Sequence, residues 1–239
     1  MRSSLILNTA ALLFADSSSA LQTAKTYPGD ARYPTQKQWD LFNKTIDGNL
    51  IKAALPAAAC YPPISNAAAC SAAASLGGNE ARVPSDPVLV QNPWWSGYGC
   101  LATLSTNSTN STCKLGDYPS YVVAAKTAQH VSAGVRFASH YNLRLSVKNT
   151  GHDYLGRNLG AGGLSIWTYG FQGIDFTDDW VPSILPGQKP RSNGSHTGVG
   201  AVTYGAATMF SQLFDAVANR SVTITTGADR VCLTLEPGY

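Results

Sequence analysis

Charge is scarce in this chain of 239 residues: Asp, Glu, Lys and Arg together make up 13% of it, about half the roughly 25% usual for soluble domains. The surface must therefore rest on neutral polar groups, and Ser, Thr, Asn and Gly are plentiful. The formal net charge is only +3, and no run of Lys or Arg exceeds two residues. A balance this small and scattered does not suggest nucleic acid. Past the first twenty residues no stretch approaches the ~20 apolar residues of a membrane span, so neither nucleic acid nor membrane is an expected partner. The H-E-x-x-H metal motif and the G-x-S-x-G nucleophile elbow are both missing, which disfavours a hydrolase. The dinucleotide fingerprint G-x-G-x-x-G is missing too: the glycines at 160, 162 and 163 follow no strand and open no helix, which disfavours a Rossmann dehydrogenase.

Apolar residues are not scarce. At 44% hydrophobic the chain can bury an ordinary core, and wholesale disorder is excluded. Residues 1–20 have the pattern of a secretory signal, with Arg2 before a mostly apolar run and Ser18-Ser19-Ala20 as a small-residue cleavage site. Five N-x-[ST] sequons, at Asn43, Asn107, Asn110, Asn193 and Asn219, fit a secreted glycoprotein. Of five cysteines, Cys60, Cys70, Cys100 and Cys113 form two sequence-local couples and Cys232 is left over. No couple has C-x-x-C spacing and no His lies close by, so disulfides in an oxidising compartment are favoured over a metal. Three connectivities are possible; Cys60–Cys70 with Cys100–Cys113 closes the shortest loops.

Residues 21–117 form an irregular, Pro- and Ala-rich leader. A helix is expected within 35–55, where Trp39, Phe42, Ile46 and Leu50 recur at three- and four-residue steps before Pro56. A second is expected around 67–75. Trp94 and Trp95 suit buried anchors or, with Tyr98, a carbohydrate platform. From 118 onward the texture changes. A buried strand at 121–125, a helix over 127–141 with Val131, Val135, Ala138 and Tyr141 on one face, and an alternating strand at 143–147 compose a β-α-β unit with parallel strands. A second such unit is expected from a strand at 197–203, a helix over 206–219 and a β-branched strand at 221–225. Between them, 151–173 must be mostly loop and short strands. The fold class is α+β.

The informative run is Lys148-Asn149-Thr150-Gly151-His152-Asp153-Tyr154-Leu155-Gly156-Arg157, directly after a predicted strand. A strand ending in Asn-Thr-Gly can turn several backbone N–H groups towards one point, making a nest for an anion such as pyrophosphate. A glycine at 151 lets backbone approach the ligand with no Cβ in the way, and His152 stands at the rim. Asp153 suits a turn-stabilising carboxylate equally well. His130 and His140 on the predicted helix, and His196 in a polar loop, suit surface or capping positions.

Residues 147–157, with the K-N-T-G-H-D-Y core, followed by L-S-I-W-T at 164–168, resemble fungal members of the berberine-bridge-enzyme-like branch of the vanillyl-alcohol oxidase and p-cresol methylhydroxylase flavoprotein superfamily. The resemblance covers about half the chain, from 119 to about 229, and extends less specifically over 31–117. It implies that 118–239 is a PCMH-type FAD-binding domain, incomplete at its C-terminus, with a glycine-rich cofactor loop. It also implies that Lys148, Asn149, Thr150, Gly151, His152, Asp153, Tyr154 and Gly156 belong to that loop. Leu164 and Ser165 correspond to the strand beside the isoalloxazine ring, and Gly227 and Asp229 to the start of a second FAD loop. In this family the matching histidine is usually bonded to the flavin 8α carbon, a bond an imidazole nitrogen can form; such a tether prevents loss of cofactor outside the cell.

The implied activity is oxidation of an alcohol, sugar or secondary metabolite, with hydride passing to flavin and oxygen regenerating it. Rival expectations are a non-catalytic flavin-binding remnant and a secreted carbohydrate-binding module. After 229 the sequence departs from the family's glycine-rich continuation. The second flavin bond that many relatives make through a nearby cysteine is therefore not transferred to Cys232. With no catalytic base identified, little turnover is expected from this chain alone, and strands left uncovered would invite aggregation.

Overall fold

The structure is a computed structural model that describes residues 24–75, 83–91, 100, 112–177 and 201–224. Its elements are α1 (Gln36–Thr45), β1 (Leu50–Lys52), a 3-10 turn (Pro56–Cys60), α2 (Ala67–Ser75), β2 (Tyr121–Ala124), α3 (Ala128–His140), β3 (Leu145–Lys148), β4 (Leu164–Trp167), β5 (Ile174–Thr177), β6 (Ala201–Tyr204) and α4 (Phe210–Asn219). A four-stranded sheet has the order β1-β2-β4-β3, and β5 and β6 form a second, two-stranded sheet. β2, β4 and β3 run parallel while β1 is antiparallel to β2. The α+β class is as the sequence suggests. Among the described residues no helix is long and apolar enough to cross a membrane.

α1 starts where Thr35 and Gln38 reciprocate in a capping box. It buries Trp39 and Phe42, the first two residues of the expected stripe. The expectation that it continues to Leu55 is corrected. The N–H groups of Ile46 and Gly48 both close onto the Asn43 carbonyl, and Asp47 takes a φ of 54°. The chain then turns back, the Asn43 Oδ1 accepts the Leu50 N–H at 2.9 Å, and Leu50–Lys52 pairs with β2. An Asp-Gly-Asn turn, with its own side-chain hydrogen bonds, outweighs a spacing that suits a helix. The leader thus contributes a strand to the sheet.

One sheet face presents Tyr121, Val123, Leu164 and Ile166 to α1 and α3. There Trp39 stacks on Tyr121 with ring centroids 4.1 Å apart, and Phe42 stacks on Phe137 at 4.1 Å. Each fully buried side chain of this kind contributes about 1.5–3 kcal/mol. On α3 the buried positions are His130, Gly134 and Ala138; Val135, expected on that face, is exposed. His130, expected at the surface, is buried. Its Nδ1 accepts the Lys126 N–H at 3.4 Å and its Nε2 lies 3.1 Å from Asp47 Oδ2, so it fastens the start of α3 to the turn after α1. The other sheet face, with Val122 and Trp167, meets leader residues including Leu55, Tyr61, Val88, Val90 and Cys100. Both favoured disulfides, Cys60–Cys70 and Cys100–Cys113, are formed there.

β3 departs most from expectation. The strand expected at 143–147 alternates apolar and polar residues, and the apolar ones are not uniformly inside. Leu143 is buried, bridged to Thr26, but the strand itself buries Ser146 and Lys148 and leaves Leu145 and Val147 exposed. Among the described residues β3 is the edge of the sheet, and α3 packs on β2 and β4. The covered side of β3 is therefore the leader side. The first β-α-β unit has its parallel strands, with β4 inserted between them. The second lacks its last strand among the described residues. Ser221 takes a φ of 55°, and the N–H groups of Ser221 and Val222 bond Ala218 and Val217 carbonyls, a Schellman-type stop after α4. Thr225, like residues 197–200, lies outside the described residues.

Candidate functional site

Parallel strands β3 and β4 put Ser146 beside Ser165 and Lys148 beside Trp167, on the leader face of the sheet. The chain leaves β3 at Lys148 into the loop of residues 149–158. Lys148 is 2% exposed; its Nζ donates to the carbonyls of Val83 at 2.9 Å and Asp86 at 2.6 Å and lies 5.4 Å from the Trp167 ring centroid. Burial lowers the Lys148 pKa from 10.5 to about 7, against the opposing pull of the Asp86 carboxylate. Asn149 Nδ2 donates to the Ala206 carbonyl at 3.0 Å, linking the loop to the segment before α4. Gly151 adopts φ +90°, a conformation open to glycine and strained for other residues. Its carbonyl accepts the Gln91 N–H at 3.0 Å. His152 is 2% exposed.

Asp153 folds the far side of the loop onto itself. Its carboxylate accepts the backbone N–H groups of Leu155 and Arg157 and the Nε and Nη2 donors of the Arg157 guanidinium. Burial pulls its pKa up, but the Arg157 guanidinium and the two N–H groups outweigh that and hold it below the ordinary carboxylate value. Tyr154 and Leu155 are exposed at the tip.

Enclosed polar atoms lie on this loop, on the strands β3 and β4 and on the leader residue bonded to Gly151. Asn149 Oδ1, Thr150 Oγ1, both amide atoms of Asn158, Ser146 Oγ, Ser165 Oγ and Gln91 Oε1 are buried without a hydrogen-bond partner among the described residues. Leaving one such group unsatisfied costs about 1–3 kcal/mol, and groups of this kind cluster where an ordered water or a ligand completes the structure. The set contains hydroxyl and amide donors alongside carbonyl acceptors, a chemistry suited to a polar, oxygen-rich ligand. No group of three or more His, Cys, Asp or Glu residues that could hold a metal ion occurs among the described residues.

The structure thus gathers Asn149, Thr150, Gly151, His152, Asp153, Tyr154 and Gly156 in one loop, with Lys148 at the end of β3 leading into it and Ser165 on the same sheet face. Leu164 is the exception: its side chain points to the opposite face, into the core with Trp39 and Ile46. Gly227 and Asp229, like Trp94, Trp95, Tyr98, His196 and Cys232, lie outside the described residues. Sequence reasoning missed Ser146, Asn158 and the leader residues Val83, Asp86 and Gln91. The one local signal was Ser85-Asp86-Pro87, an Asx-turn sequence, whose carboxylate does accept the N–H groups of Val88 and Leu89.

No protein-family model matches the chain. Individual proteins do. The chain is 33% identical over 192 residues to the flavin-dependent oxygenase ucdF of Aspergillus ustus, covering 80% of this chain and 33% of the relative. It is 30% identical over 222 residues to the FAD-linked oxidoreductase ZEB1 of Gibberella zeae, covering 93% and 36%. Among solved structures, the VAO-type flavoproteins MtVAO615 and MtVAO713 of Myceliophthora thermophila C1 superpose with TM-scores of 0.70 and 0.72 at 28% and 27% identity. They cover 85% and 87% of this chain, which spans 35% and 36% of theirs. The chain therefore spans about a third of the length of the relatives it matches.

Proposed function

We propose that this chain, a homologue of part of the fungal FAD-linked oxidoreductases and VAO-type flavoproteins, is the FAD-holding portion of an oxidoreductase. The observation that carries this reading is the set of enclosed, unpartnered polar atoms on the loop of residues 149–158 and on the strands and leader segment tied to it. Their chemistry fits the group. Thr150 and Ser165 hydroxyls and the Asn158 amide can donate to pyrophosphate oxygens, and a loop opened by a positive-φ glycine lets backbone N–H groups do the same. Asn149, Thr150 and Gly151 would hold the pyrophosphate. His152, on the same loop, would carry the covalent bond to the flavin 8α carbon. Asp153 serves the turn: its oxygens are taken up by Leu155 and Arg157. It shapes the loop and makes no demand on the ligand.

When bound, FAD supplies a hydride acceptor for oxidation of an alcohol, sugar or secondary-metabolite C–H bond, and oxygen takes the electrons away as hydrogen peroxide. The chain's own contribution is placement, electrostatics and exclusion of water around the loop. Export from the cell is part of the same proposal. Two disulfides suit an oxidising compartment, and the Asn219 sequon lies exposed at the end of α4.

The test is expression through a secretory pathway, followed by acid denaturation and measurement of flavin fluorescence on the polypeptide. Flavin should remain attached to the parent and be lost from a His152→Ala variant. A folded parent that never acquires flavin would refute the reading.

A further inference from the structure

The loop that precedes His152 is clasped from outside by the leader. Lys148 Nζ reaches the Val83 and Asp86 carbonyls, and the Gly151 carbonyl accepts the Gln91 N–H. Between these ties the backbone is pressed close. A Cβ on Gly151 would lie 2.8 Å from Val83 Cγ1, 2.9 Å from Lys148 Cε and 3.1 Å from the Leu89 carbonyl oxygen. Residues 83–91 are themselves stiff. Asp86 Oδ1 accepts the Val88 and Leu89 N–H groups at 2.7 and 2.8 Å, and Pro84 and Pro87 fix their own φ. Val88 and Val90 are buried against Val122 and Cys100, so the segment is anchored to the same sheet that carries the loop.

We propose that residues 83–91 are a positioning strap for the flavin loop, with Lys148 as its positioning residue. By tying the end of β3 and Gly151 to the turn built on Asp86, the strap fixes where His152 is presented. The inference rests on the flavin reading above and adds what sets the geometry of attachment. Each backbone residue fixed in advance spares about 1–2 kcal/mol of ordering when a ligand arrives, and bond formation between poorly aligned partners is slowed about 100-fold by a displacement near 1 Å. A strap that holds three points within four residues of backbone acts on both terms. Lys148, expected at the cofactor, gives two of its N–H donors to the leader, and through these ties it acts on the loop.

The experiment uses the full chain as parent, Lys148→Met, Asp86→Ala and His152→Ala, each supplied with FAD. Two flavin measurements are made: total flavin in the native protein, and flavin that survives acid. Hydrogen exchange is followed over 83–91 and 148–153. Lys148→Met and Asp86→Ala should retain native flavin binding while acid-stable attachment slows about 100-fold, with faster exchange in both segments. His152→Ala should bind flavin, attach none and leave exchange unchanged. Attachment and binding that fall together, in proportion to folded protein, mean a merely structural role and overturn the proposal. So does attachment at the parental rate in both strap variants. Should Lys148→Met fail to fold, Asp86→Ala decides alone, since it removes the carboxylate that builds the turn and leaves Lys148 and its two carbonyl partners in the chain. A folded parent without flavin sinks the flavin reading; unchanged exchange at 148–153 in Asp86→Ala would then sink the strap as well.

Discussion

At the scale of single residues, Lys148 makes the clearest thermodynamic demand. Its folded pKa of about 7 lies below the 10.5 of the exposed group. Between those values the unfolded chain binds the extra proton, so stability rises with pH across that window. Below about pH 7 both states are protonated and the penalty is fully present. The shift corresponds to at most about 5 kcal/mol, and hydrogen bonds to two carbonyls reduce it. Denaturant titrations of the parent at pH 7 and pH 9.5 should show higher stability at the higher pH. Lys148→Met should flatten that difference; a slope that persists in the variant would assign it to another group. The K-N-T-G-H-D-Y residues were legible because they are contiguous, running from the end of β3 into one loop. The partners of Lys148 were not, because they stand 65 and 62 residues earlier in sequence with no periodicity to mark it. Asp153 was left open between turn and ligand, and its contacts with Leu155 and Arg157 fill the turn role.

At the scale of elements, local chemistry settles beginnings better than ends. Thr35 and Thr127 both cap helices, as residues of their type do, while α1 stops early because the turn at Asp47 competes with the helical stripe. The burial direction of β3 was beyond a period-two reading. Alternation says that two faces differ, and only the tertiary cover, which among the described residues is the leader on one side and no helix over the edge on the other, says which is inside. β4 entering between β2 and β3 has a physical requirement at its start. Gly163 passes so close to the strand before it that a Cβ would sit 2.1 Å from the Arg144 carbonyl oxygen. The neighbouring N–H of Leu164 bonds that same carbonyl at 2.9 Å, so the backbone cannot retreat without breaking the β3–β4 pairing. Gly163→Ala should therefore destabilise by about 3 kcal/mol, the upper end for overpacking, seen as a lower midpoint in urea with an unchanged slope. A shift under about 0.5 kcal/mol would mean that the approach is looser than this.

At the scale of the whole molecule, one sheet is covered by helices on one face and a cystine-bearing leader on the other, and among the described residues its β3 edge is left bare on the helix side. Leu145 is 37% exposed and Val147 56%. β3 pairs only with β4 among the described residues, so it offers unpaired backbone N–H and C=O groups beside an apolar row. Edges of that kind template pairing with another chain, and a chain with only 13% charged residues has little like-charge repulsion to prevent it. The parent should accordingly self-associate as concentration rises. Val147→Lys places a charge on the exposed side of the edge, where the long side chain reaches water and displaces nothing buried. Stability should stay within about 0.5 kcal/mol of the parent while light scattering shows a larger monomer fraction at equal concentration. Association that is identical in parent and variant would place the sticky surface elsewhere; a large loss of stability would mean that Val147 is covered in solution, and that β3 is an interior strand whose neighbour lies outside the described residues.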